Sequence, residues 1–499
     1  MVSSVHVIGG GLAGSEAAWQ AASLGVPVTL SEMRPVRPTA VHKTDRLAEL
    51  VCSNSFRGDK LDNAVGLLKE ELRRLGSLVM RAADAARVPA GAALAVDRER
   101  FAALVTDALS SHPLVTIARE EVTHISGPGP PHAATIVATG PLTSEALSAD
   151  IASFVGRDHL AFYDAISPIV LAETIDRAKV FRASRWGRSL GSAAGAREGR
   201  RADSVVTPRQ QPDEARGGAS TRRAEPEVVG RPCGTDDGEG DYLNCPLTRE
   251  EYERFYEALT GAESATVHDF DRATFFEGCL PIEVMAHRGA DTLRFGPMKP
   301  VGLVDPRTGR RPWAVVQLRQ DTLAADHYSL VGFQTQLKWS EQARVLRLVP
   351  GLERAEFVRF GMVHRNTYIN GPTVLRDTWQ TRPRADLFFA GQVSGVEGYV
   401  ESAASGLVAG LGAARLALGH DPVAPPRTTA IGALGYYVSH ADVAHYAPTN
   451  VTFGIMVPLD RPPRDRGERK RALAARALED LGRWLADARC VGPAEGARG

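Results

Sequence analysis

Residues 5–32 read V-H-V-I-G-G-G-L-A-G-S-E-A-A-W-Q-A-A-S-L-G-V-P-V-T-L-S-E, and this stretch decides the fold. Val5 to Ile8 is a short apolar run with β-branched residues and predicts a buried strand. Ser15 to Leu24 is rich in alanine and predicts a helix, and the glycines between them predict a tight turn. Gly25 stops the helix, Val26 to Leu30 supplies a second buried strand, and Glu32 follows it. A strand, helix and strand in this order make a βαβ unit and hence a parallel sheet in an α/β protein. Gly9-x-Gly11-x-x-Gly14 sits at the strand-to-helix turn, with Gly10, Leu12 and Ala13 between the glycines. Such a turn brings backbone close to a pyrophosphate at a helix N-terminus, and an acid at the end of the next strand accepts hydrogen bonds from a ribose hydroxyl. The expected ligand is a dinucleotide with an unphosphorylated adenosine ribose.

Around this unit the chain runs to 499 residues, with 59 Lys+Arg against 59 Asp+Glu and 43% hydrophobic residues. That balance excludes a fibrous or wholly disordered protein, and the length predicts two or three domains. With no net charge there is no global basic field, so a nucleic-acid partner must be held locally. Cysteines stand at 52, 233, 245, 279 and 490 without a C-x-x-C pair, which points to free thiols in a reducing compartment. The first thirty residues imitate a secretory signal but lack a basic start and carry Glu16 and three consecutive glycines. No apolar run reaches the roughly 18 residues of a membrane span. The expectation is a soluble, cytoplasmic protein with no membrane association.

Further along, Leu68, Leu72 and Leu75 recur at helical spacing before Gly76, and Asp97 is placed to cap a helix through Leu109. Thr135 to Ala138 predicts a strand leading into Thr139-Gly140, and Leu387 to Ala390 one leading into Gly391-Gln392. Gly398 and Tyr399 then open an Ala/Gly-rich helix over Glu401 to Leu418. A helix over Arg249 to Leu259 and strands over Ala314 to Leu318 and Tyr328 to Phe333 fit a mixed middle domain. Between Arg182 and Arg231 there are eleven arginines, six acids and almost no large apolar side chains. Such a stretch cannot offset its ordering entropy, so residues 188–237 are read as a disordered insertion. It is either a solvated loop or a basic arm meeting RNA phosphates. The resulting organisation is a nucleotide domain in two parts (1–160 and 351–440) around an insertion domain (161–350). A C-terminal segment (441–499) carries an amphipathic helix marked by Leu473, Ala477, Leu481, Trp484 and Leu485.

NAD and FAD share the first turn, but T-I-V-A-T-G (Thr135 to Gly140) and L-F-F-A-G-Q (Leu387 to Gln392) resemble strands that flavoproteins set against FAD. Five segments are more specific: L-V-C-S-N-S-F-R (Leu50 to Arg57), G-D-Y-L-N-C-P-L (Gly240 to Leu247), F-F-E-G-C-L-P-I-E (Phe275 to Glu283), L-R-F-G-P-M-K-P-V-G-L (Leu293 to Leu303) and G-V-E-G-Y-V-E-S-A-A-S-G (Gly395 to Gly406). Together they resemble the folate- and FAD-dependent tRNA uracil-5-methyltransferases, from about Val5 to Pro458, apart from the Arg-rich insertion.

The resemblance implies a Rossmann-like FAD-binding domain of the GidA-related flavoprotein type, interrupted by a mixed α/β insertion domain. It implies that a one-carbon unit passes from methylenetetrahydrofolate through reduced FAD to carbon 5 of the T-loop uridine of tRNA, giving ribothymidine. NADH or NADPH would supply the electrons, with no obligate protein partner. Carbon 5 of uracil is a poor nucleophile until a thiolate adds at carbon 6, and a base must then remove the carbon-5 proton. Cys279 matches the family's nucleophile and Cys52 its general base, so a lowered thiol pKa is expected for both. Cys245 matches a family cysteine read as structural, while Cys233 and Cys490 lie outside the matching pattern. His364 resembles the residue that stacks the folate pterin against the flavin. Arg57, Lys299, Lys338 and Arg365 are candidates for phosphate or glutamate-tail contacts, although for any one of them an ordinary surface charge is the more usual role. Three other readings stay open: the FAD-dependent enzyme that modifies the wobble uridine of tRNA, an FAD oxidoreductase of a small metabolite, and a flavin-bearing tRNA scaffold.

Overall fold

The computed structural model describes residues 3–39, 41–156, 160–165, 167–187, 240–265, 280–361 and 363–489, with backbone alone for 160–165, 363–367 and 487–489. The Arg-rich insertion, Cys233, Cys279 and Cys490 lie outside the described residues.

The opening βαβ unit forms as its sequence dictates, with shifted edges. The helix Leu12–Ser23 starts three residues before the expected Ser15, because Gly11 is already extended as its N-cap and the Ser15 N–H reaches the Gly11 carbonyl at 2.9 Å. The second strand, Val28–Glu32, begins after Pro27, which has no N–H to give a ladder. These strands belong to a five-stranded sheet in the order Leu387–Phe389, His132–Val137, Ser4–Ile8, Val28–Glu32 and Val115–Arg119, parallel at every pairing. The strand entering from residue 387 adds to the edge formed by His132–Val137, so two distant parts of the chain build one nucleotide-binding sheet.

Packed over that sheet, the helices Leu12–Ser23 and Tyr399–Ala417 approach unusually closely. A Cβ at Gly406 would lie 2.1 Å from the Ala13 carbonyl oxygen, and one at Gly410 would lie 2.5 Å from that of Ala17. Small residues at this crossing let both helix N-termini converge on the same end of the sheet. The C-terminal helix Arg466–Arg489 buries Ala474, Ala477, Leu481 and Trp484 in the same core, the packing role its periodicity predicts.

The middle of the chain builds a six-stranded sheet, antiparallel at every pairing, with its own core around Leu243, Phe255, Val316, Tyr328 and Phe333. Its strand His327–Leu330 stops short of the expected Phe333 because Gly332 adopts φ +76°. The sheet draws its last strand, Phe357–Arg359, from beyond residue 350. A two-stranded ribbon then pairs Val363–Tyr368 with Leu160–Ala165. Among the described residues no helix is long and apolar enough to cross a membrane.

Candidate active site

Three glycines shape the first turn for different reasons. A Cβ on Gly9, at φ +105°, would lie 2.6 Å from the Ala138 carbonyl oxygen, and one on Gly14 only 1.8 Å from the Gly9 carbonyl oxygen. Gly11 differs, because a Cβ there would meet no atom within 4 Å. Gly11 lines an open cleft with Gly9, Gly10, Leu12 and Ala13, so the missing side chain leaves room for a ligand to approach the backbone. No side chain caps the helix behind Gly11, nor the one behind Gly398 at φ +107°. Two uncapped helix N-termini beside one cleft make an anion site suited to a pyrophosphate.

The rest of the cleft fits the two ends of a dinucleotide. On one side stand Glu32, Arg34, His42 and Glu49. Glu32 Oε2 accepts the Gly10 N–H at 2.9 Å, while Oε1 accepts the Arg34 N–H at 3.0 Å and Arg34 Nε at 2.8 Å. Burial raises the Glu32 pKa, but the Arg34 bonds and charge together with the Gly10 N–H outweigh it and hold the carboxyl below its ordinary range. A carboxylate offers about four lone-pair sites, so one acceptor position remains on Oε2 for a ribose hydroxyl. His42 is pushed down to about 4, first by burial and then by the Arg34 charge. Ala138, Thr139 and Gly140 line the middle, and Gly391, Gln392, Tyr399, Ser402 and Val51 the far side. Gly391 donates its N–H to Ser405 Oγ at 2.7 Å, and Gln392 donates to Glu397 Oε2 at 2.9 Å. Of the residues expected from the sequence to hold the cofactor, all but Gly14 and Gly398 line the cleft. Glu32 is largely engaged by protein donors. Gly14 and Gly398 act through backbone geometry, as a close approach and a helix cap, and do not line the wall.

Cys52 follows the cleft-lining Val51 and is half-buried. Its N–H and that of Ser53 both donate to the Tyr399 hydroxyl oxygen at 3.0 Å. Burial, followed by the neighbouring Cys52, pushes the Tyr399 phenol well above its ordinary range, so it stays neutral. Three arginines that the sequence did not single out surround the same loop. Arg319 binds Asn54 Oδ1 at 2.8 Å and Ser53 Oγ at 2.9 Å. Arg98 pairs with the buried Asp321 at 3.0 Å. Arg359 is lowered to about 10 by burial and then by the Arg98 charge, so it remains a cation at neutral pH. Only their convergence in three dimensions marks them, since they come from a helix and two strands widely separated in sequence.

The remaining candidates divide clearly. Cys279 is outside the described residues, but both flanks of its segment dock on residues 334–337. Ser264 bridges Leu337, and the Ile282 N–H reaches the Gln334 carbonyl at 2.7 Å. His364 stands on the ribbon strand opposite Asp164, with only its backbone described, as for Arg365. Gln342 ties the region together by exchanging hydrogen bonds with Gly361 at 2.7 and 2.9 Å. Cys245 is fully buried with its thiol pKa pushed up by burial, which suits a structural role. Arg57 Nη2 donates to both carboxylate oxygens of the buried Glu401, and Lys338 pairs with Glu263 at 2.5 Å. Those two cations are therefore partnered within the chain, while Lys299 is exposed.

Comparison with known proteins bears on the family and the fold. The family model described as Glucose inhibited division protein A matches residues 4–196 and 227–421. A protein of Symbiobacterium thermophilum named methylenetetrahydrofolate–tRNA-(uracil-5-)-methyltransferase TrmFO is 57% identical over 483 residues, covering 96% of both chains. One of the same name from Pelotomaculum thermopropionicum is 53% identical over 481 residues, covering 96% of this chain and 98% of its own. The crystal structure of Aquifex aeolicus GidA aligns with a TM-score of 0.61 at 19% identity, over 97% of this chain and 73% of that one, and shows the fold alone.

Proposed function

The chain belongs to the methylenetetrahydrofolate–tRNA-(uracil-5-)-methyltransferase family, within the GidA-type flavoproteins, and from that premise we propose that it methylates carbon 5 of the T-loop uridine of tRNA. The observation that carries the reading is the placement of Cys52: next to the dinucleotide cleft and held through its own N–H by Tyr399, which lines that cleft. FAD, reduced by NADH or NADPH, supplies two chemical capacities when bound: carriage of the one-carbon unit from methylenetetrahydrofolate and the electrons that turn it into a methyl group.

The chain's own residues would do the rest. Gly9 to Ala13, with Thr139, Gly140, Gly391, Gln392 and Tyr399, hold the dinucleotide, and Glu32 takes one ribose hydroxyl. The Cys279 thiolate adds to carbon 6 of the uracil, placing enolate electrons at carbon 5. After the carbon–carbon bond forms, Cys52 would remove the carbon-5 proton as the transferred carbon parts from its carrier, and once that carbon has gained two electrons and become a methyl group Cys279 would leave carbon 6 as thiolate. His364 stacks on the pterin. The purified protein would act alone, with tRNA held by local basic residues and therefore in a salt-dependent way.

The test is transfer of labelled carbon from methylenetetrahydrofolate to a tRNA transcript, with FAD and NADH present and S-adenosylmethionine absent. Label in the T-loop uridine with wild type but not with Cys279→Ala is the expected result. No label with an FAD-loaded wild type would move the reading to wobble-uridine modification or to oxidation of a small metabolite.

A further inference from the structure

We propose that Arg98 and Arg359 form a two-guanidinium clamp that positions the Cys52 loop for proton removal, tying it to the sheet of the middle region. The proposal rests on the reading of Cys52 as the general base. Three successive carbonyls of the loop are taken by these side chains. Arg98 Nη1 donates to Leu50 O at 2.8 Å, Arg359 Nη1 to Val51 O at 2.9 Å and Arg359 Nη2 to Cys52 O at 2.9 Å. Arg98 Nη2 also faces Cys52 O at 3.4 Å. With the Tyr399 hydroxyl on the N–H side, the Cys52 peptide is bonded on both edges.

The pattern is costly as scaffolding. Two like charges are set side by side, with Asp321 balancing one of them, and Arg359 Nε is buried without a hydrogen-bond partner among the described residues. An unsatisfied buried donor calls for a reason other than stability. Arg359 lies in the strand Phe357–Arg359 of the middle sheet, and Asp321 directly follows another of its strands, Ala314–Gln320. Ser264 and Ile282, which flank the segment bearing Cys279, are held on residues 334–337, just past the strand His327–Leu330 of the same sheet. The clamp therefore ties the Cys52 loop to the sheet on which the described flanks of the Cys279 segment are held. A guanidinium reaches two adjacent carbonyls from two separate nitrogens of a rigid planar fork, whereas an ammonium that bridges carbonyls, as Lys69 does for Phe56, Arg57 and Gly58, does so from one point on a flexible stem, so lysine does not reproduce the clamp's geometry.

Arg359→Lys and Arg98→Lys, each purified with FAD bound, test this. Two quantities are measured: methyl transfer at varied tRNA, and alkylation of Cys52 by iodoacetamide, read on the Cys52 peptide by mass spectrometry. For Arg359→Lys we expect kcat to fall about tenfold or more, with KM for tRNA within about twofold. We expect Cys52 alkylation to change by at least about fivefold while the flavin spectrum is kept, with smaller effects of the same sign for Arg98→Lys. A kcat and an alkylation rate within about twofold of wild type would overturn the clamp. Loss of FAD and of cooperative melting in both variants would also overturn it, by assigning the arginines to the fold. Should wild type transfer no methyl group, the proposed reaction fails while the alkylation rates still decide the clamp.

Discussion

The hydroxyl oxygen of Tyr399 accepts the N–H of Cys52 at 3.0 Å, joining residues from opposite ends of the nucleotide domain. The same oxygen accepts the Ser53 N–H, so Tyr399→Phe strands two main-chain donors at once. An unsatisfied buried donor costs about 1–3 kcal/mol. The expected outcome is a lower melting temperature and a methyl-transfer rate reduced about tenfold, measured on FAD-loaded protein. An unchanged rate with a lowered melting temperature would show that Tyr399 serves the fold alone.

Gly11 and Gly14 separate ligand room from fold. Gly11→Ala meets open space at φ −74°, so the ligand-free protein should keep its urea midpoint while FAD affinity falls. Gly14→Ala places a Cβ 1.8 Å from a backbone oxygen and should lower the midpoint itself or prevent folding. Equal loss of stability in both would contradict the assignment of Gly11 to the pyrophosphate approach.

Arg57→Ala leaves the buried Glu401 carboxylate with the Val451 N–H, 2.9 Å away, as its remaining partner among the described residues. Removing one member of such a pair costs about 3 kcal/mol where the survivor is buried. Arg57→Ala should therefore destabilise clearly in a thermal or denaturant melt. The double variant Arg57→Ala/Glu401→Gln should recover part of the loss.

His6 gives a dependence on acidity with a definite sign. Burial, reinforced by the His132 charge, lowers it from 6.5 to about 4, and its Nε2 lies 2.9 Å from Ser31 Oγ. A histidine lowered in the folded state adds stability above its unfolded pKa, and that stability disappears as pH falls from 6.5 towards 4. The full effect of such a shift is about 3 kcal/mol. His6→Leu should flatten the fall in melting temperature between pH 6.5 and pH 5. An identical slope in both proteins would refute the role of His6.

What could be read in the sequence follows the range of the physics. The glycine turn is legible because its demands are local: φ +105° at Gly9, close approach at Gly14 and an acid one strand later. The cap at Asp97 is equally local, its side chain accepting the Arg100 N–H at 3.0 Å. Arg98, Arg319 and Arg359 escaped notice because nothing in their own neighbourhoods distinguishes them from surface arginines; what matters is that three strangers in sequence reach one loop. Arg57 shows the same limit from the other side: its pairing with Glu401, more than three hundred residues away, could not be read from its own surroundings.

The order of strands in the parallel sheet has a consequence for synthesis on the ribosome. Since Leu387–Phe389 completes the edge beside His132–Val137, the emerging chain exposes that hydrophobic edge while the whole middle region is translated. An unpaired edge is an invitation to mispairing and aggregation. Until the helix Tyr399–Ala417 arrives, the nascent protein also lacks half of its cofactor cradle, so FAD can rescue it only near the end of translation.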